Sequence, residues 1–178
     1  ERPTFQSGMY EEFFDMKALL NKPQESVSPL NQALIECNAR VNNGELKREG
    51  EKYLYHMRNG ATIPLTAAAS SIKELSPLSL LINKFPVKGV SILFEEPEAH
   101  LHPSRQVKLA DLLACIISAG GHLQVTTHSD YLIKRLNNLM KLSLLKDKIS
   151  PSDFEKLLND FQIKEEYLLA VSISFIFL

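Results

Sequence analysis

Two adjacent carboxylates, Glu95 and Glu96, follow directly on a short apolar run, Val90 to Phe94. The run carries β-branched and aromatic side chains, with Gly89 before it and Pro97 just beyond. That pattern predicts a buried strand of a parallel sheet. In open α/β sheets, ligands bind outside the carboxyl ends of the strands. Paired acids at such an end suit a divalent cation and an activated water, the combination that phosphate chemistry uses. Further on, Gln124-Val-Thr-Thr-His-Ser129 ends another short strand on a histidine. Between the two, Pro103 opens a helix with His102 near its cap. Leu109, Leu112, Leu113 and Ile116 form its apolar face, and Gly120-Gly121 ends it. A strand, a helix and a strand of this length make a βαβ unit with parallel strands and a right-handed crossover. Glu96 and His128 then fall at the same sheet edge, and the two stretches become one site.

Taken together, Leu93-Phe-Glu-Glu-Pro-Glu-Ala-His-Leu-His-Pro103 and Gln124-Val-Thr-Thr-His-Ser129 resemble the ABC-type ATPases of the SMC/OLD-like group. That group includes the ATPase halves of OLD-family nucleases and ATPases of phage-defence systems. The resemblance spans roughly Ile63 to Leu136 and rests on both motifs and their separation. It implies that Glu96 is the catalytic carboxylate of Walker B, polarising the water that attacks the γ-phosphate. Glu95 stands where an Asp helps hold Mg²⁺, directly or through water, and is longer by one methylene. His128 matches the switch histidine that contacts the γ-phosphate. Ser70 and Ser71 match the signature segment, which reaches ATP bound to the opposite subunit. Around Ile72 this chain lacks the two glycines that the signature carries. His102 stands in the loop that approaches the partner's nucleotide.

Such domains carry a Walker A loop in their first half, and this chain contains no G-x-x-x-x-G-K-[ST]. The resemblance therefore implies an incomplete domain. Its partners would be a Walker A-containing N-terminal half or partner chain and a second copy in a head-to-tail homodimer, with ATP and Mg²⁺ as cofactors. Hydrolysis would switch the dimer and drive an effector, a nuclease acting on DNA by analogy. The chain alone is expected to bind nucleotide weakly or not at all. Two rival readings stand beside this one. One is a non-catalytic scaffold that dimerises through the same face. The other is a metal-dependent nuclease using Glu95, Glu96, Glu98 and the histidines, since Glu98, His100 and His102 form a Glu-x-His-x-His pattern.

The fold class expected is α/β: a P-loop NTPase-like parallel sheet flanked by helices, with a small antiparallel meander. Residues 1–44 read as a helical segment, 45–65 as the meander and 66–178 as the C-terminal lobe. An amphipathic helix is expected over residues 9–20. Another opens at Ser28-Pro29 and ends at Asn42-Asn43-Gly44. Gly50 and Asn59-Gly60 mark the turns of the meander. Ser70 or Ser71 is expected to cap the following helix, with Glu74 completing a capping box and Pro77 in the first turns. Ser129 and Ser150 cap two later helices, and residues 170–177 read as a last strand. Lys73, Lys134 and Arg135 read as solvated helix faces.

The formal net charge of −1 leaves no overall basic surface for nucleic acid. Cys37 and Cys115 lie in apolar helical patterns and read as reduced core thiols of a cytoplasmic protein. No secretory leader pattern opens the sequence. The apolar run from Tyr167 to Leu178 is shorter than the ~20 residues that a membrane helix needs, so no membrane partner is expected.

Overall fold

A computed structural model describes residues 29–50, 52–165 and 168. The helix expected over 9–20 and the strand expected over 170–177 lie outside these residues. The elements in order are α1 (Pro29–Asn42), β1 (Gly44–Glu49), β2 (Lys52–Met57), β3 (Thr62–Pro64), a 3₁₀ turn (Leu65–Ala67), α2 (Ser70–Lys84), β4 (Ser91–Glu95), α3 (Pro103–Ser118), β5 (His122–Thr126), α4 (Asp130–Leu145) and α5 (Pro151–Asp160). The chain is thus mixed α/β, with an antiparallel β1-β2-β3 meander and a parallel β4-β5 pair. No described helix is long and apolar enough to cross a membrane.

Helix α1 ends at Asn43, whose φ of 57° turns the chain out of the helix. The next residue must be glycine. A Cβ on Gly44 would lie 2.4 Å from the His56 carbonyl oxygen. The Tyr55 hydroxyl donates to the Asn42 carbonyl at 2.6 Å, satisfying a terminal acceptor of the helix. Tyr55 pairs with Leu46 on one side and Ile63 on the other. With Ala68, Ile72 and Leu80, Leu46 and Tyr55 form a small cluster between the meander and α2.

Helix α2 corrects two expectations. Its N-cap is Ala69, with extended backbone and no side-chain cap bond. Ser70 and Ser71 are already helical, and Glu74 pairs with His100 at 3.5 Å instead of closing a capping box. Pro77 lies in the middle of the helix, not in its first turns. Lacking an N–H, it cannot serve the Lys73 carbonyl. The Ser76 hydroxyl donates to that oxygen instead, at 2.6 Å, which is how the helix runs through a proline.

The main core gathers Leu34 and Val41 of α1, Leu75 and Ile82 of α2, Leu109, Leu113 and Ile116 of α3, and Leu132 and Leu139 of α4. Each such side chain contributes about 1.5–3 kcal/mol on burial. Helix α3 is central, with α1 and α4 both packed on it. Across the α1–α3 contact the Cys37 and Cys115 sulfurs approach to 3.4 Å, both buried and not disulfide-bonded. Arg135 is not a solvated face. Its side chain is nearly buried, and it holds Asp111 of α3 through Nε–Oδ1 at 2.7 Å and Nη2–Oδ2 at 3.2 Å.

The parallel pair runs in register from Ser91↔His122 to Glu95↔Thr126. Ile92, Phe94, Leu123 and Val125 pack against the core. The opposite face is open, with Leu93 58% exposed. The expectation of a buried strand is therefore corrected to a half-buried one. Among the described residues this sheet has two strands, and the core lies against one of its faces.

Candidate active site

Glu95 ends β4 on the exposed face. At Glu96 the peptide N–H still donates to the Thr126 carbonyl, at 3.0 Å, but φ becomes 44°. A side-chain-bearing residue held there costs about 1–3 kcal/mol, a strain usually seen where geometry serves function. His128 leaves the neighbouring strand two residues past its end. Glu96 Oε1 and His128 Nε2 stand 3.6 Å apart, with the side chains 58% and 89% exposed. The βαβ connection has brought together the two residues that the sequence paired, and both face solvent, where a ligand can reach them. Glu95 lies beside them, one residue earlier on the same strand end.

Beneath this surface runs a set of hydrogen bonds that sequence reasoning missed. Glu98 is 8% exposed, turned inward from the loop. Its Oε1 accepts the Thr127 hydroxyl at 2.6 Å and the His128 N–H at 2.8 Å. Thr127 Oγ1 in turn accepts the Ser129 N–H at 3.0 Å. Ser129 caps α4 through the Leu132 N–H at 3.1 Å and donates to Gln106 Oε1 at 2.5 Å. Gln106 Nε2 returns to the Leu101 carbonyl at 2.9 Å. The available signal was a surplus of donors. Beyond the end of β5, Thr127 and the His128 N–H need an acceptor that the sheet no longer supplies.

His102 caps α3 as expected, its Nδ1 accepting the Ser104 N–H at 3.3 Å. His100, at φ 59°, faces Glu74. Glu98, His100 and His102 thus engage three different partners. Among the described residues no group of three or more His, Cys, Asp or Glu could hold a metal ion by itself. Of the two serines at the start of α2, Ser70 is exposed and Ser71 is buried. The Glu74–His100 contact sets this helix start next to the loop after β4. Behind the loop, Arg105 Nε donates to the Val41 carbonyl at 2.7 Å and ties α3 to α1. Burial lowers the pKa of Arg105 and raises that of Tyr55, whose shift the Arg105 charge opposes.

Fold and site define an α/β protein whose polar residues gather at the carboxyl ends of parallel strands, the edge at which open α/β sheets take their ligands. The chain belongs to the AAA ATPase domain family, whose model matches residues 7–133. A search of curated proteins finds no match. Among solved structures, the SMC head domain from Thermotoga maritima is 16% identical with a TM-score of 0.42, over 68% of this chain and 44% of that one. A structure from a study of ATP-driven dimerization and DNA stimulated activation of SMC ATPases is 16% identical with a TM-score of 0.45, over 86% and 99%. The Pyrococcus furiosus Smc head, bound to the C-terminal domain of ScpA, is 17% identical with a TM-score of 0.44, over 71% and 33%. The chain therefore spans less than half of the first and third of these.

Proposed function

We propose that this chain is the C-terminal lobe of an ABC-type ATPase that hydrolyses ATP between two copies in a head-to-tail dimer. The observation that carries the reading is the Glu96–His128 approach of 3.6 Å at the carboxyl edge of β4 and β5. Glu96 takes the proton of the attacking water, and its left-handed backbone aims the carboxylate off the end of the strand. His128 donates to the γ-phosphate and fixes the line of attack. Ser70 is the serine that reaches the partner's ATP, because it is the exposed one at the helix start, and His102 approaches the same nucleotide from the loop. Walker A is supplied by another part of the protein or by a partner chain.

The donor set fits Mg²⁺. Glu95 and Glu96 offer hard oxygen atoms at an open edge, and Mg²⁺ is held by one or two carboxylates together with phosphates and waters, not by a closed protein cage. Glu95 is the residue that would hold it. When bound, the ion neutralises charge on the β- and γ-phosphates. Turnover then drives an effector outside this chain, in DNA processing or phage defence.

The test is ATP turnover by the full-length protein beside its Glu96→Gln variant, with ATP binding measured for both. Binding kept and turnover reduced at least about 100-fold is the expected result. A full-length protein that neither binds nor hydrolyses ATP would leave the scaffold reading in its place.

A further inference from the structure

Glu98 is an acidic side chain turned into the protein from the loop after β4. It is more than nine-tenths buried. One carboxylate oxygen takes two donors, the Thr127 hydroxyl and the His128 N–H. The other, Oε2, has no hydrogen-bond partner among the described residues. Burying a carboxylate with half its acceptors unused is unfavourable for folding. What the burial gains is a pair of short hydrogen bonds that fix the Thr127 hydroxyl and the His128 N–H on one oxygen.

The bonds also close on themselves. From the Glu98 carboxylate the path runs to Thr127, then to Ser129, then to Gln106 and on to the Leu101 carbonyl. The Leu101 N–H donates back to the Glu98 carbonyl at 3.0 Å. This ring joins the loop that holds Glu96 and His102 to the segment that holds His128, and does so without passing through solvent-exposed side chains. We infer that Glu98 is the positioning residue of the site. It holds the His128 backbone in place for reaction, and with Gln106 it makes the loop after β4 and the His128 segment move as one unit. A shift at His102 is then felt at His128.

This inference rests on the ATPase reading and is tested in the full-length protein by kcat, KM and ATP affinity for Glu98→Ala, Glu98→Gln and Thr127→Val. Glu98→Ala is expected to lower kcat at least about tenfold, as misplacement of a reacting group does, with KM and ATP affinity within about threefold. Glu98→Gln keeps an oxygen that can accept both donors, and is expected to recover most of kcat. If Glu98→Ala does not fold, Thr127→Val decides. It keeps the shape of the side chain, removes the hydroxyl that donates to Glu98 and accepts from the Ser129 N–H, and should lower kcat with KM and ATP affinity kept, at a modest cost in melting temperature. Unchanged kcat in the variant that folds overturns the inference alone. So does a loss of ATP binding that matches the loss of turnover. No turnover in the parent protein overturns the ATPase reading and this inference with it.

Discussion

At the scale of single residues, Glu96 and His128 are expected to act as one unit. Groups that cooperate in one step are strongly non-additive. His128→Ala should lower turnover about as much as Glu96→Gln, and the double variant should fall little further than the worse single one. Multiplying losses, seen in kcat for the three proteins, would mean that the two side chains serve separate steps. The pair was legible in the sequence because each residue stands within two positions of the end of a short strand, and a βαβ unit places those two ends at one edge. Glu98 was not legible as what it is. Its role depends on donors 29 and 30 residues away, and nothing in its own neighbourhood says whether its side chain turns out toward a metal or inward toward a backbone.

At the scale of elements, the sequence was read best where structure is local. His102, Ser129 and Ser150 cap the helices expected of them. Ser129→Ala should cost about 1 kcal/mol through its cap, read as a lower urea midpoint. Ser76→Ala should cost about as much, because it leaves the Lys73 carbonyl in α2 without the donor that stands in for Pro77. Failure came where a local pattern has two outcomes. A Ser-Ser pair can cap a helix or enter it, and here extended backbone at Ala69 starts the helix one residue earlier than a serine cap allows. An apolar run can be a strand covered on both faces or on one. The choice at β4 is made by what else packs there, which the run itself does not encode.

At the scale of the whole molecule, Arg135 gathers three parts of the fold, holding Asp111 of α3 and the Phe161 carbonyl just after α5. Burial pushes the Asp111 carboxyl up from its ordinary value, against the hydrogen bonds and charge of Arg135. A carboxyl raised in the folded state stabilises fully below its unfolded pKa, and that contribution is lost as pH rises through the folded one. Asp111→Asn should therefore steepen the gain of stability from acid toward neutral pH, read from urea midpoints. Arg135→Met should cost about 3–5 kcal/mol near neutrality, where it strands a buried charge, and less in acid. The proposed dimer has a complementation test. If Ser70 serves the partner's ATP, an equal mixture of Ser70→Ala and Glu96→Gln proteins forms mixed dimers with one intact site. Turnover should return to roughly a quarter of the parent's, and no recovery would place Ser70 outside the partner's site. Two thiols meet between α1 and α3. A thiol reagent can reach Cys37 or Cys115 only when those helices part, so the rate of modification counts partings. Labelling paced by global unfolding would make α1 part of the same cooperative unit as the site, whereas faster labelling would make it a hinged cover that opens first.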